Sequence, residues 1–513
     1  MSPSDVARLP DLPDELLAEI VNQLDDESLI QLSMTCRKVH FLALPVVFTR
    51  AKLDSTRCLY LWQSPAHLLR ALRIALFVDH ATSFLIGLNC DSDRLLPEIH
   101  SYNRLVSRMP STETFAFHMP LSTFAFNKDG VFDRWAREVI RLFDIVLSKR
   151  CHYFHVTGDI VSTSFESISG APSTNTLSSR AALLQHSIVK KMSGRLRNLP
   201  KSAKRTIFSI IPENSSPQNG SPHSGILQCF YVSPMLFQPQ FLDWTTSTLQ
   251  TNSQTLVEVS FVTDRISAST WHDLLSKLTL PSLSRFQLTC NGAMERQTIC
   301  FNDILKFLTR HPSIVGLDFL GLVPRNSHRP RNLLPALETL ISPPGLIVWL
   351  LDCKYPRKQL KSLNVMSDVL RRIANLDYDI FDEVLVLLPH CTPSLTTLKL
   401  SFWGPRPIQW LDKHASRGHD GSPSPGPLAA LKGITTLELA LLRPWEKEVT
   451  DVIPHFVVQF PRLQHLIYPE PPLNLAMEPA KRKFLKEIAL MCPGMKTVSI
   501  GCTPVNLDSL SER

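Results

Sequence analysis

The residue types best suited to chemistry are cysteine and histidine, and their spacing predicts no catalytic or metal site. None of the eleven cysteines forms a C-x-x-C pair, and the seventeen histidines form no H-E-x-x-H segment of the kind that holds zinc. His390 and Cys391 are neighbours in the chain, but adjacency alone does not give the geometry of a nucleophile and its base. Neither a phosphate-binding P-loop nor a G-x-S-x-G elbow occurs. We therefore expect no metal ion, no cofactor and no catalytic residue.

Composition points to a globular protein in a reducing compartment. An odd number of scattered cysteines is typical of free thiols. The start of the chain lacks the features of a signal peptide, and no apolar run approaches the roughly 18 residues that span a bilayer. The net charge of +8 is mild, since 54 basic residues face 46 acidic ones. We expect a cytoplasmic or nuclear protein that binds neither membranes nor nucleic acid.

Hydrophobic side chains near the start of the chain are better candidates for a functional surface. A helix is predicted to begin at Pro13, with Asp14 and Glu15 in the first turn, where the helix dipole favours negative charge. Two further helices are expected, the second capped by Asp25 or Asp26 and the third ended by Pro45. Three helices in about forty residues make a very small core. The segment must therefore pack on the rest of the chain or on a partner.

The pattern Leu12-Pro13-x-Glu15-Leu16-Leu17-x-x-Ile20, followed by leucines 24, 29 and 32 and by Cys36, resembles the F-box motif. The order of segments in the whole chain looks like the fungal F-box proteins with degenerate leucine-rich repeats. Val39 departs from the family, which usually has an aromatic residue at this position.

The resemblance implies a partner. F-box motifs bind the Skp-type adaptor of Skp–cullin–F-box (SCF) ubiquitin ligases, and through it a cullin–RING ligase. The contacts implied here are Leu12, Pro13, Glu15, Leu16, Leu17, Ile20, Leu24 and Leu29. The alternative is an ordinary pair of amphipathic helices that packs on the chain itself, because leucine stripes are usually part of a core.

The remainder of the chain contains a recurring L-x-x-L-x-L pattern that predicts short strands. The segments begin at Leu227, Leu256, Leu283, Ile314, Leu360, Leu395, Ile434, Leu463 and Met495, and weaker examples begin at Leu69, Thr112 and Cys151.

A proline often lies two residues before the pattern, and a helical stretch often precedes the proline, as in 303–309, 381–388, 452–460 and 484–491. A helix, a proline and a short strand repeated every ~25–40 residues resemble leucine-rich repeats, whose units bury their apolar faces only by stacking. The fold class expected is α/β: a small three-helix F-box followed by an irregular solenoid. An unrelated α/β domain with a similar strand spacing is the alternative.

Four segments follow as expected domains: the F-box at 8–50, first repeats at 51–160, a flexible insertion at 161–224 and the main repeat array at 225–505. The insertion is rich in Ser and Pro and contains a basic cluster between Lys190 and Arg205. A second interruption is expected from Gly404 to Pro427, where Ser422 and Ser424 each precede a proline.

The function expected is that of a non-catalytic substrate adaptor of an SCF-type ubiquitin ligase, with an unidentified protein substrate held by the repeats. One alternative is a leucine-rich-repeat scaffold outside ubiquitination, in which the N-terminal helices only cap the repeats. Another is an enzyme whose catalytic groups come together from distant positions.

Overall fold

The computed structural model describes residues 11–53, 58–62, 64–78, 81–88, 94–119, 131–158, 225–263, 266–290, 300–321, 324, 329–351, 355–367, 378–402, 407–416, 426–441, 449–469, 475, 477–501 and 503–508. The predicted insertion at 161–224, its basic cluster, and Ser422 and Ser424 lie outside these residues.

Three helices form the start of the described chain: α1 (Asp14–Gln23), α2 (Asp26–Ser33) and α3 (Arg37–Arg50). We call residues 11–53 the N-terminal module. Asp25 caps α2, and its Oδ1 accepts a hydrogen bond of 2.8 Å from the Ser28 N–H. Pro13 lies one position earlier than predicted, at the N-cap of α1.

The prediction that Pro45 ends the third helix is wrong. Helix α3 continues through this proline to Arg50. The turn after Pro45 carries Val47 and Phe48, and both are buried in the core. Their burial offsets the backbone hydrogen bond that a proline cannot donate.

Within the described residues, fifteen strands follow and form one sheet in which every strand pairs with its neighbours in sequence. The pairs are parallel except for β14 and β15, which are antiparallel. The strands are β1 (Cys58–Trp62), β2 (Ser83–Gly87), β3 (Thr114–His118), β4 (Tyr153–Thr157), β5 (Cys229–Val232), β6 (Glu258–Thr263), β7 (Arg285–Cys290), β8 (Gly316–Leu320), β9 (Thr339–Ser342), β10 (Ser362–Met366), β11 (Thr397–Phe402), β12 (Thr436–Leu441), β13 (His465–Tyr468), β14 (Thr497–Ile500) and β15 (Thr503–Asn506).

Helices connect most successive strands and cover one face of the sheet. They are α4 (Ala66–Ile74), α5 (Leu95–Arg108), α6 (Val131–Leu147), α7 (Pro239–Thr251), α8 (Ala268–Lys277), α9 (Phe301–Arg310), α10 (Pro344–Leu350), α11 (Asp379–Cys391), α12 (Pro407–Ser416), α13 (Val449–Val457) and α14 (Glu478–Met491), with 3-10 turns at Pro234–Phe237 and Pro427–Ala430. The expected irregular α/β solenoid behind three N-terminal helices is confirmed.

The apolar repeat pattern produces this arrangement because parallel strands align their buried positions. Leu363, Leu398 and Leu437 lie opposite one another on β10, β11 and β12, and all three are fully buried. Side chains between these positions point to the other side of the sheet. We call that side, which faces away from the helices, the open face.

Arginines at helix ends connect successive units. Arg310 of α9 donates from Nη2 to the carbonyls of Leu275 and Leu278, at the end of α8. His311 continues the link, since its Nε2 lies 2.9 Å from the Leu280 N–H and accepts from it. The Arg310 bonds satisfy carbonyl groups that a helix end leaves without partners, and the His311 bond satisfies a backbone N–H of the following loop.

Two further predictions are corrected. The weak strand candidate at Leu69 lies in α4, where Leu69 and Leu72 are buried on one side of a helix, because an i, i+3 spacing fits both structures. The interruption at 404–427 contains helix α12, whose Trp410 and Leu411 are buried. All nine strong strand segments and the weak ones at Thr112 and Cys151 are confirmed.

Candidate functional site

The first candidate surface is the outer side of α1, which carries unburied hydrophobic side chains. Leu16 is 48% exposed and Ile20 is 38% exposed, one helical turn apart. Leu17 and Val21, on the adjacent side of the same helix, are buried against the rest of the module. Helix α1 therefore has one apolar stripe inside the chain and a second one that is left open.

The eight residues predicted to contact a partner separate into three groups. Pro13, Glu15, Leu16 and Ile20 are exposed, whereas Leu12 and Leu24 are half-buried. Leu17 and Leu29 are buried in the core of the chain itself. A partner that docks on this surface meets the exposed group directly, while Leu17 and Leu29 support the surface from behind. Contact with a partner stays a prediction for all eight.

Two hydrogen-bonded side chains hold α1 in place. Arg50, at the end of α3, donates to the carbonyls of Asn22 and Leu24 at 2.8 and 2.7 Å. At the other end of α1, Lys38 Nζ lies 2.9 Å from both the Leu12 carbonyl and the Asp14 Oδ1. The exposed stripe is thus fixed at both ends, which lowers the entropy lost when a partner binds.

The module is also bonded to the first unit of the solenoid. His40 Nδ1 donates to the Ser33 carbonyl at 3.1 Å, and His40 Nε2 accepts from the Leu76 N–H at 3.1 Å. Arg70 of α4 forms an ion pair of 2.6 Å with Glu27 of α2. These bonds join the N-terminal module to helix α4 and to the residues that follow it.

Sequence reasoning missed three exposed hydrophobic residues in this region: Met34, Phe41 and Leu76. The ring of Phe41 packs beside Phe77 with a centroid distance of 5.7 Å, under the guanidinium of Arg37. The distinction between a core and a surface position in α3 depends on which side meets α4, and the sequence alone does not give this.

The second candidate surface is a cluster of rings on the open face of β1 to β5. We call Tyr60, Trp62, His118, His155 and Tyr231 the aromatic face. Their strands are adjacent and parallel, which places Tyr60, His155 and Tyr231 in one row across the sheet. Sequence reasoning missed this surface, although the period-two alternation in CLYLW was a possible signal.

A glycine makes room for the first part of the aromatic face. The indole of Trp62 stacks on His118 with centroids 4.5 Å apart and an interplanar angle of 25°. Gly87 lies on the strand between them, and a Cβ atom there would be 2.6 Å from Trp62 Cε3. The ring of Trp62 therefore occupies the space that a side chain on β2 would fill.

Burial keeps both histidines of the aromatic face neutral. It lowers the pKa of His118 to about 4 and that of His155 to about 3. His155 stacks on Tyr231 at 3.7 Å, and the Tyr231 hydroxyl donates to the Glu258 carboxylate. The aromatic face is thus uncharged at neutral pH, with one carboxylate at its edge.

Two buried cysteines of the described chain are poor nucleophiles. Burial raises the pKa of Cys151 and of Cys229 to about 12 in each case, so both thiols are protonated and weakly nucleophilic. Cys391 is buried, whereas His390 is exposed. Within the described part of the chain, no three His, Cys, Asp or Glu side chains are grouped to hold a metal ion. No described helix is long and apolar enough to cross a bilayer.

Comparisons with known proteins identify the N-terminal segment. Residues 9–50 match the family model of the F-box domain. None of the curated proteins matches the chain. Among solved structures, the chain is similar to one in the crystal structure of the Rad7 and Elc1 complex in yeast, with 14% identity and a TM-score of 0.37, over 93% of this chain and 97% of that chain.

Proposed function

We propose that this chain, which carries an F-box domain at residues 9–50, is the substrate-binding subunit of an SCF-type ubiquitin ligase. The observation that carries the proposal is the coincidence of that domain with an open apolar stripe at Leu16 and Ile20. In this role the chain brings a substrate to the ligase and performs no chemistry of its own.

The docking surface for the Skp-type adaptor is the exposed side of α1. Complete burial of a leucine or isoleucine is worth about 1.5–3 kcal/mol. Leu16 is still 48% exposed and Ile20 38% exposed, so together they supply about 1.3–2.6 kcal/mol more at an interface. Pro13 and Glu15 adjoin them, Leu12 and Leu24 are half-buried, and the remaining predicted residues, Leu17 and Leu29, support the surface from the core.

A protein substrate is proposed to bind the aromatic face. Tyrosine and tryptophan are enriched among the residues that dominate binding energies, because they bury large areas at a small cost in side-chain entropy. Tyr60 is half exposed, and the stacked pairs behind it are held by their neighbours. The exposed stripe of α1 and the aromatic face share no residue, and we propose that the two partners bind at the same time.

Transfer of ubiquitin to the substrate then depends on proximity. The link between the module and the solenoid through His40 and Arg70 fixes the direction from the adaptor to the substrate. A fixed geometry raises the effective concentration of substrate lysines near the ligase's ubiquitin-carrying enzyme. The proposed site of action is the cytoplasm or the nucleus.

The test is a calorimetric titration of the full-length chain with a purified Skp-type adaptor. We expect a one-to-one complex with a Kd below ~1 μM. Leu16→Asp with Ile20→Asp should weaken it by at least ~10–100-fold, from the lost burial alone. Leu490→Asp is the matched control, because Leu490 is an exposed leucine on α14, at the opposite end of the chain. An unchanged Kd in the double variant, with its circular dichroism intact, would refute the docking surface.

A scaffold that acts outside ubiquitination is the second candidate. It is favoured by the bonds from His40 and Arg70, which also suit a cap that closes the first unit of a solenoid. The same titration separates the two, because a cap predicts no complex with the adaptor.

A further inference from the structure

A basic cleft lies in the outer helical layer, and none of its lining residues belongs to either proposed binding surface. It opens between α4, α5 and α6 and has a volume of about 650 Å³. This volume falls within the usual range of small-molecule sites, roughly 300–1,000 Å³. Four arginines line it: Arg73, Arg104, Arg108 and Arg141.

Little negative charge balances these guanidinium groups. Arg141 lies 3.9 Å from Oε2 of Glu138, which His100 also approaches to 3.3 Å. Arg73 and Arg104 make no ion pair with any residue that the structure describes. Among the described residues, Glu138 is the carboxylate within ion-pair distance of the cleft, and it pairs with Arg141 and His100.

Arg108 is held in a fixed position. Its guanidinium donates to the carbonyls at the end of α4, including that of Ala75 at 3.0 Å and that of Arg73. A guanidinium that is already ordered loses little further freedom when it binds an anion. The wall of the cleft is thus organised before a ligand arrives.

Asn103 contributes an unmet hydrogen-bond acceptor. It lines the cleft, is almost completely buried, and donates from Nδ2 to the carbonyl and to Oε2 of Glu138, at 3.2 Å each. Its Oδ1 is buried and receives no hydrogen bond from the described residues. A buried acceptor without a donor favours a ligand that brings a hydroxyl group.

We propose that this cleft binds a small molecule that carries both phosphate and hydroxyl groups, such as a phosphorylated sugar or polyol. Guanidinium groups pair with phosphate oxygens through two parallel hydrogen bonds, which suits arginine better than lysine. Arg73, Arg104 and Arg141 contact the phosphate, and Asn103 Oδ1 accepts from a hydroxyl. The proposal is independent of the ligase function.

The neighbouring surface provides a matched control. Arg134 and Arg137 are exposed on α6 but do not line the cleft. Removing them changes the net charge by the same amount as removing Arg73 and Arg104. If the surface attracts polyanions only diffusely, removal of either pair weakens binding equally. If the cleft is a built site, only the removal of Arg73 and Arg104 weakens binding.

The experiment is calorimetry on the full chain with ribose 5-phosphate, inorganic pyrophosphate and ribose. We expect both phosphate compounds to bind with one site per chain and ribose not to bind. Arg73→Gln with Arg104→Gln should weaken both by at least ~10-fold, the loss expected for two charge-assisted hydrogen bonds. Arg134→Gln with Arg137→Gln should change them less than ~2-fold, apart from a small salt-dependent effect. Asn103→Ala should weaken ribose 5-phosphate more than pyrophosphate.

Three results would overturn the proposal. The first is no binding of either phosphate compound at ~5 mM, far above the affinity of a built site. The second is an equal loss in the two arginine pairs. The third is binding of a single-stranded RNA oligonucleotide with no binding of the small phosphates, which assigns the surface to a macromolecule. Circular dichroism on each variant separates a lost site from a lost fold.

Discussion

The carboxylate of Asp382 offers a quantitative test of how neighbouring units are held together. It lies on α11 and accepts hydrogen bonds from three side chains of α12: Trp410 Nε1 at 2.8 Å, Lys413 Nζ at 2.9 Å and His414 Nε2 at 2.7 Å. Asp382→Ala removes all three. The charge on the carboxylate makes these bonds stronger than neutral ones.

The expected loss can be worked out bond by bond. A hydrogen bond to a charged group is worth about 1.5–3 kcal/mol when buried. Trp410 and His414 are buried, but Lys413 is 45% exposed, so its ion pair contributes at most about 1 kcal/mol. Because the three bonds share one acceptor and do not add fully, we expect a total of about 2–4 kcal/mol.

Hydrogen exchange measures this loss where it occurs. Each 1.4 kcal/mol of lost stability raises the equilibrium constant for opening about tenfold. The loss of about 2–4 kcal/mol in Asp382→Ala should therefore make local opening of α11 and α12 about 30- to 700-fold more frequent. Asp379→Ala is the control: Asp379 is on the same helix, has a side chain that is 91% exposed and reaches Lys413 only at 4.0 Å. Equal exchange rates in the two variants would refute the reasoning.

The same carboxylate gives a dependence on pH. Burial raises its pKa, but hydrogen bonds from Lys413, His414 and Trp410 together outweigh burial and hold the pKa below the ordinary aspartate value of 3.8. A lowered pKa contributes stability that is present above pH 3.8 and is lost as the pH falls through the folded-state pKa. The difference between the natural chain and Asp382→Asn in the hydrogen-exchange rates of α11 and α12 should therefore become smaller below about pH 3.8.

Two further predictions concern the aromatic face. Gly87→Val should displace the Trp62 ring from His118 and destabilise the first strands by about 1–3 kcal/mol. The measurements are a lower urea midpoint and a red-shifted tryptophan emission. An unchanged emission spectrum would contradict the stacking. Burial lowers the pKa of His118 from 6.5 to about 4. Between pH 6.5 and pH 4 the unfolded chain therefore binds a proton at His118 that the folded chain does not bind. The free energy of unfolding should fall as the pH decreases from 6.5 towards 4. At pH 5 protonation of this group in the unfolded chain should lower the free energy of unfolding by about 2 kcal/mol. In urea unfolding, His118→Phe should remove that part of the dependence of stability on pH. An unchanged dependence on pH would contradict the prediction.

The repeat units were predictable because their pattern has a single physical cause. A buried strand position such as Leu398 or Leu437 must be apolar, and a helix must end before the strand begins. Both demands leave local signals in the sequence. Strand β1, by contrast, is not preceded by a helix and a proline in the spacing of the other units, and the sequence pattern did not predict it.

Other features depend on contacts that are distant in the chain. Leu16 and Leu17 are neighbours of identical type, yet one is exposed and the other is buried, according to which side of α1 meets α3. The stack of Trp62 on His118 requires the register of three strands and a glycine between them. No local pattern reports such register, so the exposed stripe of α1 was predictable in outline and the aromatic face was not.

The most direct measurement of the central claim is a hydrogen-exchange footprint of the full chain with and without the Skp-type adaptor. We predict slower exchange in α1 and its flanking residues, with exchange in the strands of the aromatic face unchanged. Leu16→Asp with Ile20→Asp should abolish this protection. Protection confined to the solenoid, or none at saturating adaptor, would contradict the assignment of the chain as a ligase adaptor.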